Sequence, residues 1–355
     1  MRNRTKISSV AILPTVAVLV AGGLLAGCGG SNSDSSSTTT ARTATTAESA
    51  SQDGRRLDDP SPIGTFAVAR VEVTFVDDSR PTKAHGGQPE KPQRTLPTVV
   101  WYPTAGDATG KVADGGPMID GGKAPLIVFS HGSTRNADDY ASTLVAWASA
   151  GYVVAGPNYP LSTTGVPGGT DYGGAPEQAV DVAFVIDRML AGEAGDEKAP
   201  WSGRIDDARI GLGGQSFGAI TTLTAVADPC CTDDRIAAIT EFAGFGGGSE
   251  KTPADATGAP PALFVHGNAD PTVPYDAGRG SFDHYPGDAW FLTLVGTGHD
   301  DGYFGGLDEP LDELVTRATA AFYDAQLKGD DQGMDRLREL VSKAGPKVAT
   351  LEPRS

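Results

Sequence analysis

Residues Gly214-Gln215-Ser216-Phe217-Gly218 constrain this chain more than any other stretch. They follow the apolar run Ala208 to Gly213 and open the apolar-periodic segment Phe217 to Ala227, so they sit where a strand turns sharply into a helix. A serine at such a turn has its hydroxyl pushed out above the sheet edge, and the flanking glycines keep the tight backbone free of Cβ clashes. Ser216 is therefore a candidate nucleophile. A bare Gly-x-Ser-x-Gly arises often by chance in a chain with 47 glycines, so the strand before it and the helix after it carry the weight.

A serine at its free pKa needs a base, and the base needs an orienting acid. One known chain order for such a triad is Ser, then Asp or Glu, then His. Downstream of Ser216, residues Pro261 to Gly267 read as a buried strand followed by the loop Asn268-Ala269-Asp270-Pro271, which makes Asp270 the expected acid. Its rival reading is a turn-former before Pro271, with Asp276 or Asp283 then supplying the carboxylate. A further strand, Trp290 to Val295, runs into Gly296-Thr297-Gly298-His299-Asp300-Asp301, which makes His299 the expected base. The other four of the five histidines fit the role less well. His85 lies in a polar insertion and reads as a solvated loop residue. His266 ends a strand just before the acid loop and is expected to pack or hydrogen-bond locally. His284 precedes the last strand, and His131 belongs to a different motif.

That motif is the apolar strand Leu126 to Ser130 running into His131-Gly132-Ser133-Thr134. An oxyanion hole of this type takes one N–H from the residue after the nucleophile, here Phe217, and one from the loop after the third strand, here Ser133 or else Thr134. Each such donor is worth about 3 to 4 kcal/mol of transition-state stabilisation. His131 is expected to hold the loop in shape.

With these pieces in place, the chain resembles the platelet-activating-factor acetylhydrolase and dienelactone-hydrolase branch of the α/β-hydrolases, which also includes cutinase-like polyester hydrolases. The resemblance rests on Val99 to Pro103, Pro125 to Gly132, Gly151 to Ala155, Gly214 to Gly218, Phe264 to Asp270, Gly298-His299 and Ala321 to Asp330, and covers nearly all of residues 63 to 330. It implies a serine carboxylic ester hydrolase working through an acyl-enzyme, needing no cofactor and no metal. Gln215 departs from the histidine usual before the nucleophile in the acetylhydrolases. The acid, 54 residues after Ser216, lies as in the cutinase-like and dienelactone-type enzymes.

The N-terminus reads as an export signal over residues 1–27: Arg2, Arg4 and Lys6, an apolar stretch from about Val10 to Ala26, then Leu25-Ala26-Gly27-Cys28. That ending resembles a bacterial lipoprotein box, which implies that Cys28 is lipidated and that the mature protein is held on the outer face of the cell membrane, with release into the medium as the variant. Residues 28–61, rich in Ser, Thr and Ala, are expected to form a disordered tether. About 32 such residues span on the order of 30 Å. Residues 62–355 then suit one catalytic domain with a sizeable core. Without Arg2, Arg4 and Lys6 the net charge falls from −17 to −20, which repels polyanions and makes nucleic acid an improbable partner. The expected partners are an ester substrate and a membrane, and the expected state is a monomer. Of three cysteines, Cys230 and Cys231 remain after Cys28; a disulfide between neighbours, a bridge between chains and free thiols are all open, with a structural role expected at the sheet edge opposite the site.

An antiparallel opening pair, Phe66 to Val76 and Thr95 to Tyr102, followed by alternating strands and helices predicts an α/β, doubly wound, mostly parallel sheet. The candidate residues all fall at carboxyl ends of strands, where sites in such sheets lie. Only Ala243 to Ala259 separate two strands where hydrolases often insert a helical lid, so an open cleft suited to lipid-like or other bulky esters is expected, with Tyr159, Phe217, Phe245 and Tyr303 as candidate lining. Acyl transfer or peptide cleavage on the same triad, or a non-catalytic binding protein on this fold, are the alternatives.

Overall fold

The central strand of the molecule is built from Ile205–Gln215, whose last six residues are all buried because helices cover both faces of the sheet around it. The computed structural model describes residues 55–195, 197–246 and 258–354. The export signal, Cys28 and most of the tether, together with residues 247–257 of the short connection, lie outside these.

Among the described residues ten strands form one sheet. In chain order they are β1 Ala67–Asp77, β2 Arg94–Thr104, β3 Val112–Asp114, β4 Ala124–Ser130, β5 Val153–Pro157, β6 Ile205–Gln215, β7 Ile236–Phe242, β8 Ala262–Gly267, β9 Ala289–Leu294 and β10 Ala349–Pro353. Their spatial order is β10-β9-β8-β7-β6-β4-β5-β2-β1-β3. The run from β9 to β5 is parallel throughout, β1, β2 and β5 pair antiparallel, and β10 adds an antiparallel strand at the far edge. The expected doubly wound sheet and its opening pair are therefore present, and the C-terminal strand is an addition that the reading of the sequence did not contain.

Among the described residues six α-helices complete three layers. α2 Ala175–Ala191, α3 Phe217–Ala227 and α4 Tyr275–His284 place Val182, Val185, Leu223 and Phe282 in the core on one face. α1 Ala141–Ser149, α5 Pro310–Leu327 and α6 Gly333–Ala344 place Leu144, Trp147, Val315, Phe322 and Val341 in the core on the other. α4 was not expected, and its sequence explains why: two glycines and two aspartates in ten residues give it poor intrinsic helicity. Packing supplies what propensity lacks. Phe282 meets Phe264 and Phe291 at ring-centroid distances of 5.8 and 5.4 Å.

Two smaller expectations need correction. Residues 55–61 fall in the stretch expected to be tether, yet Leu57 is fully buried and donates its N–H to Gly121 O at 2.8 Å, because an isolated leucine in an apolar-poor stretch still gains by burial. His85, expected to be solvated, is part-buried, with Nε2 2.7 Å from Gly169 O. Cys230 and Cys231 form a disulfide with each other beyond the C-terminal end of α3, at the opposite end of that helix from Ser216. Among the described residues no helix is long and apolar enough to cross a membrane.

Candidate active site

Ser216 stands between β6 and α3 with φ 55° and ψ −116°, a conformation that an L-residue adopts only at a cost of about 1 to 3 kcal/mol. The fold enforces it from both sides. A Cβ at Gly214 would come within 2.3 Å of Gly218 O, and one at Gly218 within 1.9 Å of Ser130 O, so the serine's neighbours two residues away have to be glycine. Ser216 N–H donates to Phe242 O at 2.8 Å, fixing the turn against β7. The other non-glycine residues with positive φ among those described, Thr134 and Ala243, also follow strand ends beside the turn, so the strained backbone collects in one place.

The carboxyl ends of β8 and β9 bring the other two groups to it. Ser216 Oγ lies 2.9 Å from His299 Nε2, and His299 Nδ1 lies 2.7 Å from Asp270 Oδ2. With the ring proton on Nδ1, the imidazole donates to the carboxylate and accepts from the serine, which is the tautomer a general base requires. Asp270 is itself held: Oδ1 accepts the N–H groups of Thr272 at 2.7 Å and Val273 at 2.9 Å. The alternative acids Asp276 and Asp283 lie on α4 and are not in this chain of contacts.

The backbone N–H groups left open beside Ser216 can be found by elimination in the loop after β4. Gly132 N–H donates to Tyr140 Oη at 3.0 Å, Thr134 N–H to Ser162 O at 2.7 Å and Arg135 N–H to Gly132 O at 3.2 Å. Among the described residues Ser133 N–H is the one in this loop with no such partner, and Phe217 N–H, at the first position of α3, has none in the helix. His131, fully buried, donates from Nδ1 to Gly132 O at 2.8 Å and accepts Tyr159 N–H on Nε2 at 3.1 Å. Burial pushes its pKa down to about 4, so it is a neutral strut.

Gln215, whose departure from the histidine of the acetylhydrolases was visible in the sequence, has a definite task. Its Oε1 accepts Tyr140 O–H at 2.8 Å and its Nε2 donates to His299 O at 3.2 Å. One buried amide thus ties the oxyanion loop, the serine turn and the base loop together. Gly132 makes room for it, since a Cβ there would stand 2.5 Å from Gln215 Oε1.

A cleft of about 550 Å³ opens over Ser216 and His299, lined mostly by polar side chains that include Ser133, Arg135, Asn136, Asp139, Thr272 and Asp300. Arg135 pairs with Asp300 at 3.1 Å and stacks over Phe304 at 4.7 Å. The expected aromatic lining is largely wrong. Tyr159 and Tyr303 are buried, their hydroxyls committed to Ser130 Oγ at 2.7 Å and Val265 O at 3.3 Å, and both rings fill the core below the site because a tyrosine body gains by burial once its hydroxyl has a partner. Phe217 is 2% exposed and contributes backbone, while Phe245 is exposed but is not among the residues lining the cleft. The aromatic residue that does line it is Tyr172, in a glycine-rich loop without periodicity that gave no signal in the sequence. Among the described residues no cluster of three or more His, Cys, Asp or Glu is disposed to hold a metal ion.

The family model of platelet-activating factor acetylhydrolase, isoform II, matches residues 90–160, from β2 across the oxyanion loop to just past β5. A ferulic acid esterase from Streptomyces cinnamoneus has a similar fold, with a TM-score of 0.58 at 21% identity over 78% of this chain and 94% of that one. Among curated proteins none matches the chain in sequence. Over residues 90–160 the chain is thus similar to that acetylhydrolase family, and as a whole it shares the α/β fold of the esterase.

Proposed function

We propose that this protein is an exported esterase, tethered to the membrane surface through lipid on Cys28, which cleaves carboxyl esters by way of an acyl-enzyme on Ser216. The contact of Ser216 Oγ with His299 Nε2 at 2.9 Å carries the reading. His299 takes the serine proton as Oγ attacks the ester carbonyl, Asp270 steadies the imidazolium that forms, and the Phe217 and Ser133 N–H groups receive the oxyanion. The collapse of the tetrahedral adduct expels the alcohol with a proton from His299. Water, activated by the same imidazole, then releases the acid and frees Ser216.

The polar character of the cleft favours esters with a hydrophilic limb over long-chain lipids within the class of substrates expected from the sequence, since an alkyl chain gains little against Arg135, Asp139 and Asp300. Membrane attachment rests on the Leu25-to-Cys28 box and the basic and apolar segments before it.

Purified Ser216→Ala should lose at least three orders of magnitude in kcat on a nitrophenyl butyrate ester. Parental activity in that variant would refute the mechanism. For the tether, Cys28→Ser should move the protein from the membrane fraction to the soluble fraction and abolish incorporation of labelled fatty acid; unchanged partitioning would leave the catalytic reading standing without the anchor.

A further inference from the structure

Tyr172 is 70% exposed, and for a large ring this forgoes most of the gain that burial offers. An exposed tyrosine on a loop is ordinarily free to swing. This one is held at two points, and both holds are on residues that carry the oxyanion donors. Its Oη lies 3.0 Å from Ser133 Oγ, and its ring meets the Phe217 ring at 5.5 Å with an interplanar angle of 77°.

The loop that carries it is also fixed. Thr170 Oγ1 lies 2.7 Å from Ser133 Oγ, and Asp171 N–H donates to Leu161 O at 2.8 Å. From the opposite side the polar insertion between β1 and β2 braces it: His85 Nε2 is 2.7 Å from Gly169 O, and Gly86 packs so close that a Cβ there would fall 1.7 Å from Pro167 O. Two elements far apart in sequence therefore combine to hold an aromatic ring in solvent beside the nucleophile.

The chemistry of the site says which part of the ester meets that ring. The leaving oxygen has to face His299, which protonates it, and the carbonyl oxygen has to enter the hole between Phe217 N–H and Ser133 N–H. The acyl group then extends away from His299, on the side of the donor residues. Tyr172 touches both of those residues.

We propose that Tyr172 is the acyl-side platform of this site and that it selects esters whose acyl group is planar and aromatic, stacked on the uncovered part of the ring. The proposal rests on the ester-hydrolase reading above. It names a specificity-determining residue and a substrate class, and it assigns the insertion around His85 and Gly86 the task of holding the platform in place.

Nitrophenyl benzoate and nitrophenyl butyrate share a leaving group and differ in the acyl part, so their ratio of kcat/KM isolates the acyl side. Tyr172→Ala should lower that ratio about threefold to tenfold, the range expected for loss of one aromatic contact. Tyr172→Phe keeps the ring and should leave the ratio within twofold, even if loss of the hydroxyl slows both esters. An unchanged ratio in Tyr172→Ala, or an equal fall for both esters, overturns the platform. If the parent enzyme cleaves neither ester, the hydrolase reading fails separately. The platform then stands or falls on binding: saturation-transfer NMR should detect phenyl benzoate on the Ser216→Ala protein, and Ser216→Ala with Tyr172→Ala should weaken it by a similar factor. Equal binding to both proteins removes the proposal.

Discussion

Two neighbouring strands each bring a buried carboxylate toward the same end of the sheet, and the protein treats them in opposite ways. Asp270, in the loop leaving β8, has a fully buried side chain that accepts hydrogen bonds from His299 Nδ1, Thr272 N–H and Val273 N–H and lies 3.4 Å from His266 Nε2. Glu241, on β7 beside it, is fully buried, and neither of its oxygens has a hydrogen-bond partner among the described residues. The Gly244 N–H approaches it but falls outside hydrogen-bond geometry. Burial pushes the Glu241 pKa up to about 8, so this acid holds its proton at neutral pH. Burial alone does not make a carboxylate useful to catalysis. Directed N–H donors do, because they replace the water that the charge has lost.

The largest test of this contrast removes the charge that is supported. Asp270→Asn should lower kcat on nitrophenyl butyrate by roughly three to four orders of magnitude, as expected when a triad imidazole loses its orienting anion, with the melting temperature shifted by only a few degrees. A loss below tenfold would break the comparison and pass the acid's role to another carboxylate.

Removing the unsupported acid should act on stability and not on chemistry. Folded, Glu241 holds its proton up to about pH 8; unfolded, it releases it near the ordinary 4.5. The native state therefore binds more protons between these values, so the stabilisation is complete below about pH 4.5 and is lost as the pH rises to about 8. The total is on the order of 3 kcal/mol once relaxation around the buried charge is allowed for. Urea unfolding of the parent at pH 5 and pH 8 should show this decline, and Glu241→Gln should flatten it while keeping kcat within about twofold. An equal slope in the variant would place its origin elsewhere, and a large loss of kcat would give Glu241 a part in the reaction.

Gln215 offers a smaller and sharper test, since it is neutral and yet joins the same loops. Gln215→Leu leaves Tyr140 O–H and His299 O without partners, which costs about 1 to 3 kcal/mol, so kcat should fall about tenfold to a hundredfold with little change in KM. Full activity would show that the buried amide does no more than fill space.

Some of these features could be read directly from the chain. Ser216, Asp270 and His299 each follow a short apolar run that is recognisable as a strand, and strands entering a parallel sheet bring their carboxyl ends to one side. Local pattern therefore sufficed to choose the residues that the fold places within hydrogen-bonding distance. α6 also carried a signal, Leu337 and Val341 four residues apart before Gly345, although no helix had been expected there. α4 carried none, because Gly278 is there to admit the His266 ring, whose Nδ1 would stand 2.3 Å from a Cβ at that position. Tyr159 and Tyr303 stand in the core and not in the cleft, and the sequence holds no sign of this, since it does not say which side of a strand end a ring will occupy.

By itself, the amino-acid sequence determined the layered α/β architecture, the serine turn and the choice of Ser216, Asp270 and His299 at strand ends, because each is written in contacts between near neighbours along the chain. Only the tertiary structure decided that Tyr172 stands in solvent over the donors, that Gln215 links three loops and that Glu241 keeps its proton. These properties depend on which distant groups surround a side chain, and local pattern holds no record of that.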